Sequence, residues 1–226
     1  MPGRSGGVVA LAGRECRMTS AALTRLRVPY VIAHADEVAP QPLRFVRRPL
    51  GGLRLAYDDP RRGDMAHGVL RVRVLTTRRG APQWRKLNTL RQWRCMERLR
   101  CQVCGKAATD PDTGRIPWIM TETAFREIPG DSTGGLTSAP PTCWACVPEA
   151  LATCPQLGIS STVCTVARAE PAAVLADMFT PGPGRRAIPT GERSVEVNLK
   201  DEVSIPRALA TQLIVRVEDM RPLNVA

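Results

Sequence analysis

Four of the eight cysteines in this chain of 226 residues form two pairs, each with two residues between its members. The first pair is Cys101 and Cys104, in CQVCG, and the second is Cys143 and Cys146, in CWAC. Thiolates at this spacing can point at one ion where the backbone turns tightly. The sequence therefore predicts one structural zinc ion per chain, held by these four sulfurs in a closed shell that leaves no position for a catalytic water.

Other interpretations of the cysteines stay open. The four could form two unrelated local pairs, and CWAC partly fits a redox motif of the thioredoxin type, which opens a helix after a strand. Cys154 and Cys164 could replace a ligand or form a second weak site, although we expect buried free thiols there and at Cys95. Two pairs in one segment favour metal ligation in a reducing compartment over disulfides.

Positive charge is concentrated just before the first pair. Basic residues outnumber acidic ones by 32 to 21 in the whole chain, and nine of them lie between Arg78 and Lys106, where Glu97 is the only acid. Such a field attracts polyanions, and nucleic acid is the usual one. The alternative is a solvated basic face without a ligand. The side chains predicted to contact nucleic acid are Arg85, Lys86, Arg91, Arg94, Arg98 and Arg100.

A helix is predicted to carry most of these basic residues. Asn88 is suited to cap its start, and one stripe of apolar residues recurs at every third position, namely Leu87, Leu90, Trp93, Met96 and Leu99. Arg91, Arg94 and Arg98 lie one position further round, so we expect them on a neighbouring, exposed face of this helix.

The elements around the cysteines follow from local signals. Gly105 permits the tight backbone turn after the first pair. The segment 115–122 reads as a short strand and 127–142 as a loop. Pro148 is tolerated in the first turn of a helix, so the second pair should lie at a helix start, where the helix dipole favours thiolate charge.

The rest of the chain is predicted to be mainly β. Strands are expected at 27–33, 43–48, 51–57 and 68–75, with the turn residues of 58–64 joining the last two as an antiparallel hairpin. Downstream we expect strands at 160–168 and 194–199 and a helix at 205–220, whose Leu209, Leu213, Val217 and Met220 have helical spacing. The fold class is α+β: a small antiparallel β-rich N-terminal part, a four-cysteine module and a C-terminal strand and helix.

These features divide the chain into four parts. Residues 1–18 are expected to be a disordered extension, 19–80 the β-rich part, 81–158 the basic helix with the zinc module, and 159–226 the C-terminal strand and helix with a flexible loop at 180–194. The apolar run near the start of the chain is too short, and too interrupted by glycine, for a secretory signal. Met18 is a second candidate for the first residue of the protein. No apolar run approaches the ~20 residues of a membrane span, so we expect a cytoplasmic protein without membrane partners.

The first cysteine pair has the form of a zinc knuckle, a short strand follows, and the second pair opens a helix. This order resembles a treble-clef zinc finger, and the segment 84–154 resembles the treble clef of HNH-type proteins. The matching positions are Trp93, the first cysteine pair with Gly105, Gly134 and Gly135 in the loop, and the second pair. The whole chain also resembles a group of actinobacterial proteins that carry CQVCG and a later C-x-x-C and have no assigned activity. The resemblance implies the fold of a zinc module, without an activity.

HNH nucleases need a histidine as general base and further histidine or asparagine ligands for a catalytic metal. This chain has neither residue type between its two cysteine pairs, and its two histidines, His34 and His67, lie upstream, where we expect loop or turn roles. We therefore predict a non-catalytic zinc protein that binds nucleic acid. The alternatives are an adaptor for an acidic protein partner and a diverged nuclease with a site around Asp59, Asp64 and His67.

Overall fold

The computed structural model describes residues 27–49, 51–121, 134–154, 157 and 160–223. The predicted extension at 1–18 and most of the first half of the predicted loop at 127–142 lie outside these ranges. Among the described residues no helix is long and apolar enough to cross a membrane. The described residues form a mixed α+β fold that consists mostly of strands.

Along the described part of the chain, strands precede and follow two α-helices. In chain order the elements are β1 (Ile32–His34), β2 (Leu43–Arg47), β3 (Leu53–Tyr57), β4 (Met65–Ala66), β5 (Val69–Arg71), β6 (Pro82–Leu87), α1 (Thr89–Glu97), β7 (Ile116–Thr121), β8 (Gly135–Thr137), α2 (Val147–Thr153), β9 (Ser161–Val166), β10 (Arg168–Pro181), β11 (Ala187–Pro189), β12 (Val195–Asn198), β13 (Ala208–Glu218) and β14 (Arg221–Leu223).

The largest sheet is organised around β10 and β13, which pair antiparallel from Arg168 opposite Glu218 to Met178 opposite Ala208. Strands β11 and β12 pair with β10, while β5 runs parallel to β13 and β8 antiparallel to it. Strand β4 extends the sheet beyond β5. Buried aliphatic side chains of these strands, such as Val174 and Leu213, lie in the main hydrophobic core together with Trp93 of α1.

The helix predicted at 205–220 is wrong, because these residues form β13. Leu209 and its neighbours Ala208 and Ala210 are all buried, as are Ile214 and Val215, so the strand is covered on both faces. A strand buried on both faces reads as a nearly continuous apolar run, and helical spacing then occurs within it by chance. The prediction of a loop over the whole of 180–194 is also wrong in part, because Ala187–Pro189 form β11, which pairs with β10.

The hairpin predicted between 51–57 and 68–75 is also wrong. Strand β3 pairs with β2 through the turn at Gly51 and Gly52, whose φ angles of 90° and 76° suit glycine. Strand β5 pairs with β4 and with the distant β13. The side chains of both runs still meet, because Leu55 and Leu70 belong to one small buried cluster with Phe45, Tyr57 and Leu209.

A three-stranded sheet positions the segment between the two cysteine pairs. Strand β7 confirms the strand predicted at 115–122, and it pairs antiparallel with β9, the strand that follows α2, with Trp118 opposite Cys164. Strand β14 covers the other edge of β9. Trp118 is fully buried and its indole nitrogen donates to the Ala139 carbonyl at 2.7 Å. This contact ties the loop before the second pair to the sheet.

Helix α1 is capped as predicted, because the Asn88 side chain accepts a hydrogen bond from the Arg91 amide at 3.2 Å. Trp93 and Met96 are buried, in agreement with the predicted apolar stripe. Gln92 fixes the helix to the large sheet: its amide nitrogen donates to the Leu213 carbonyl at 2.8 Å and its oxygen accepts from the Leu213 amide at 2.9 Å. The basic helix is therefore anchored through β13.

Candidate metal centre

The structure brings the four predicted cysteines together in one cluster. The sulfur atoms of Cys101, Cys104, Cys143 and Cys146 all lie within 4.8 Å of one another, and those of Cys104 and Cys143 are 3.7 Å apart. Four thiolates in tetrahedral array on zinc have sulfur–sulfur separations of about 3.8 Å, since each Zn–S bond is about 2.3 Å. The cluster is thus positioned to hold one metal ion of this size.

A tight turn shapes the first pair. The Cys101 amide donates to the Lys106 carbonyl and the Gly105 amide to the Cys101 carbonyl, both at 2.8 Å. The Val103 amide points at the Cys101 sulfur at 3.4 Å. Gly105 has φ +74°, and a Cβ atom there would lie 2.9 Å from Cδ2 of Tyr30. The glycine is therefore required both by the backbone conformation and by the aromatic ring packed against it.

The second pair opens a helix, as predicted. Cys143 precedes a turn of 3₁₀ helix, Trp144–Cys146, which continues into α2 with Pro148 in its first turn. The amides of Cys146 and Val147 donate to the Cys143 carbonyl at 2.8 and 3.2 Å. These bonds curl the backbone so that both sulfurs face the first pair.

Protein contacts hold the two pairs in register. Gln102 lies between the two cysteines of the first pair. Its backbone amide donates to the Pro141 carbonyl at 2.8 Å, and its side-chain amide donates to the Thr142 hydroxyl at 3.0 Å. The Thr142 amide in turn donates to the Pro117 carbonyl at 3.1 Å, at the start of β7. The backbone on either side of the cluster is therefore joined without relying on the sulfurs.

Burial disfavours negative charge on two thiols of the cluster. Burial raises the pKa of Cys143 to about 11, and it raises the pKa of Cys146 as well. Burial also raises the pKa of Cys104, but the Lys106 amide and the neighbouring thiols outweigh burial and bring it below its ordinary value. A divalent cation removes this conflict because it neutralises thiolates that would otherwise be buried beside one another.

The remaining described cysteines lie outside the cluster. Cys95 and Cys164 are buried, and burial raises the pKa of each thiol to about 12. Cys154 is half-buried at the C-terminal cap of α2. The expectation of buried free thiols is confirmed for Cys95 and Cys164, whereas Cys154 is free but only half-buried. Because each pair faces the other pair across the cluster, the geometry favours metal ligation over two separate redox motifs.

Arg91 is not on an exposed face, and its prediction as a nucleic-acid contact is wrong. Its side chain is 2% exposed, and its two terminal nitrogens donate to the two carboxylate oxygens of Glu37 at 2.6 Å each. One of them also donates to the Ile32 carbonyl at 2.7 Å. The charge of Arg91 is neutralised within the fold, since a partner carboxylate approaches α1 from the turn after β1.

Glu37 was not found by sequence analysis, yet it is the centre of this buried network. Besides Arg91, it accepts from the amides of His34 and Arg78 and from the Asn88 side chain, each at 2.9 Å. Burial opposes its ionisation, but these donors outweigh burial and lower its pKa to about 2. Its position in a polar ADE segment gave no local signal of burial.

The other predicted basic contacts remain at the surface. Arg85, Lys86, Arg94 and Arg98 are exposed, and Arg100 is half-buried. Two of these side chains are bonded to the first cysteine turn or to the residue packed on it. Arg100 donates to the Gly105 carbonyl at 3.0 Å, and Arg94 donates to the Tyr30 hydroxyl at 2.9 Å.

The residues of the alternative site, Asp59, Asp64 and His67, are bound by different side chains. Arg73 binds Asp59 at 2.8 Å and Asp64 at 2.7 Å in a cleft of about 560 Å³, so both carboxylates are neutralised by a guanidinium. His67 instead contacts Glu97 at 3.1 Å. His34 is buried, with one ring nitrogen 3.0 Å from the Gly80 carbonyl.

No protein-family model, curated protein sequence or solved structure matches this chain.

Proposed function

We propose that this protein is a non-catalytic zinc protein that binds nucleic acid through basic side chains placed beside its metal module. The observation that carries the proposal is the set of bonds between arginines and the first cysteine turn. Arg100 donates to the Gly105 carbonyl at 3.0 Å, and Arg94 donates to Tyr30, whose ring lies against Gly105. A metal that rigidifies this turn would also fix the positions of two cations.

Zinc is the metal that we assign to the cluster. Four soft sulfur ligands select zinc or iron over magnesium, calcium or manganese. A closed shell of four thiolates stabilises a fold and leaves no open position for a substrate or water, which is the arrangement of structural zinc sites. The order of turn, strand β7 and helix-opening pair supports a treble-clef module. Metal analysis of the purified protein distinguishes zinc from iron, which would also colour the protein.

The nucleic-acid surface that we propose consists of the predicted basic residues without Arg91: Arg85, Lys86, Arg94, Arg98 and Arg100. Guanidinium and ammonium groups at the surface bind phosphate and release counterions, so the affinity should fall steeply with salt. Lys106, exposed in the first cysteine turn, extends the same basic segment. Contacts to phosphate carry no information about base sequence, so we expect this surface to bind nucleic acid of any sequence.

The test is charge reversal of exposed residues only. The variant Arg94→Glu/Arg98→Glu should bind DNA and RNA oligonucleotides much more weakly than the wild type, with a smaller dependence of log affinity on log salt. The matched control is Arg193→Glu/Arg207→Glu, which makes the same charge change at exposed positions in the segments that precede β12 and β13. Fluorescence anisotropy at several salt concentrations measures both quantities.

Two outcomes for the variants would contradict the proposal. One is unchanged affinity in the Arg94/Arg98 variant, and the other is an equal loss in both variants, which would mean that net charge alone attracts the oligonucleotide. Wild-type protein that holds zinc but binds no nucleic acid would leave the adaptor for an acidic protein partner as the better function.

A further inference from the structure

Three consecutive residues bulge out of the ladder between β1 and β6. Ile32 pairs with Leu87, but the next residue of β1, Ala33, pairs with Gln83. One step along β1 thus corresponds to four steps along β6, and 84–86 have no opposite residue on β1. The bulge comprises Trp84, Arg85 and Lys86.

Both ends of this bulge are anchored. On one side the Asn88 amide donates to the Val31 carbonyl at 2.8 Å, and on the other the Ala35 amide donates to the Ala81 carbonyl at 3.0 Å. Leu87 itself leads directly into α1, whose cap Asn88 is fully engaged with Glu37 and Leu75. The bulge is therefore displayed from a fixed base, as expected of bulges that aim side chains at a partner.

The three side chains of the bulge point to solvent. Trp84 is 53% exposed, the most exposed of the large aromatic side chains in the described residues, and Arg85 and Lys86 are both exposed. The indole nitrogen of Trp84 makes no hydrogen bond to any residue that the structure describes. By contrast, the partly exposed Trp144 is held by a bond of 2.7 Å to Asp110. The exposure of the Trp84 side chain is thus sufficient for its ring to offer a face to a ligand.

An exposed aromatic ring followed directly by two cations matches the chemistry of unpaired nucleotides. A base in a single strand exposes its faces and stacks on aromatic side chains, while the phosphates on either side are neutralised by basic groups. The bases of a duplex are already stacked on one another and offer no face to an indole. The bulge therefore fits single-stranded nucleic acid better than duplex.

We propose that this bulge binds single-stranded nucleic acid, with an unpaired base stacked on Trp84 and the adjacent phosphates bound by Arg85 and Lys86. This inference rests on the proposed function and narrows its ligand class. Stacking of this kind tolerates all four bases, since each has a flat face. The site consequently needs no hydrogen-bond donors or acceptors that read a base edge.

The test compares a labelled 20-nucleotide dT strand with an abasic strand of the same length and charge, and with a duplex. Trp84→Ala should weaken binding of the dT strand by about tenfold, leave the abasic strand and the salt dependence unchanged, and be largely rescued by Trp84→Phe. Arg85→Ala/Lys86→Ala should weaken the binding of both strands and reduce the salt dependence of the affinity. Val203→Ala, at another exposed apolar position, is the control.

The outcomes separate this inference from the proposed function. If the wild type binds and Arg94→Glu/Arg98→Glu weakens binding, but Trp84→Ala leaves the dT affinity unchanged, only the stacking site is overturned. An equal loss on dT and abasic strands also overturns it, because the indole would then act on something other than a base. Wild-type protein that binds none of the three nucleic acids overturns both proposals and leaves the bulge to a protein partner.

Discussion

The guanidinium of Arg91 and the carboxylate of Glu37 form a two-pronged ion pair, with both bonds at 2.6 Å and both side chains 2% exposed. The pair joins α1 to the turn that follows β1. Just before β1, the amides of Tyr30 and Val31 donate to the carbonyls of Val103 and Gln102, inside the first cysteine pair, at 3.0 and 3.2 Å. The ion pair thus anchors the segment that is hydrogen-bonded to the first cysteine turn.

Breaking this pair should strongly destabilise the protein. Glu37→Gln leaves the buried charge of Arg91 without a counterion, and loss of one partner of a buried pair costs about 3–5 kcal/mol of unfolding free energy. The control is Arg168→Ala, which removes an exposed contact of 3.8 Å to Glu218 and should cost less than about 1 kcal/mol. Urea unfolding of the zinc-loaded proteins measures both, and equal costs would contradict the assigned role of the pair.

The same pair predicts a dependence of stability on pH. The Glu37 pKa is lowered from 4.5 to about 2, so the folded state holds the ionised form more strongly than the unfolded chain does. This contribution is complete above pH 4.5 and is lost as the pH falls from 4.5 towards 2. Unfolding free energies at about pH 7, 5, 4 and 3 should therefore fall more steeply in the wild type than in Glu37→Gln. Parallel curves would show that Glu37 contributes no such term.

Each cysteine of the cluster should be required for the metal. Cys104→Ser is expected to abolish or greatly weaken the binding of one zinc per chain and to lower the urea midpoint, because the energy of a structural zinc site is folding energy. Cys154→Ser is the matched control, since Cys154 is half-buried beside the module but outside the cluster. Metal analysis after gel filtration gives the stoichiometry. Full zinc content in Cys104→Ser, or its loss in the control, would refute the four-sulfur site.

Gly105 should be harder to replace than Gly114, although both adopt a left-handed conformation. Gly105→Ala places a Cβ atom 2.9 Å from the Tyr30 ring at φ +74°, whereas Gly114→Ala meets no atom within 4 Å at a similar φ of +68°. Gly114→Ala should cost about 1–2 kcal/mol, the penalty of the left-handed conformation alone. Gly105→Ala should cost more and weaken zinc binding. Adding Tyr30→Ala should recover part of that excess, which urea unfolding of the double variant measures.

Short-range signals were sufficient for the metal cluster and for the helices beside it. The spacing of Cys101 with Cys104 and of Cys143 with Cys146 reflects how closely a turn of backbone can direct two sulfurs at one point. The Asn88 cap and the proline of α2 act within a few residues of their own positions. Such features depend on local backbone geometry, which neighbouring residues in the sequence determine.

The tertiary structure decided the features whose partners are remote in sequence. The buried state of Arg91 depends on Glu37, 54 positions upstream, and a sequence pattern of exposed arginines is the same with or without such a partner. Residues 208–218 became a strand because β10 and β5 flank them, which helical spacing could not reveal. The Trp84 bulge exists only in the register of β6 against β1. The sequence alone thus determined which atoms can bind a metal, and the packing of distant segments decided which charges and rings remain exposed.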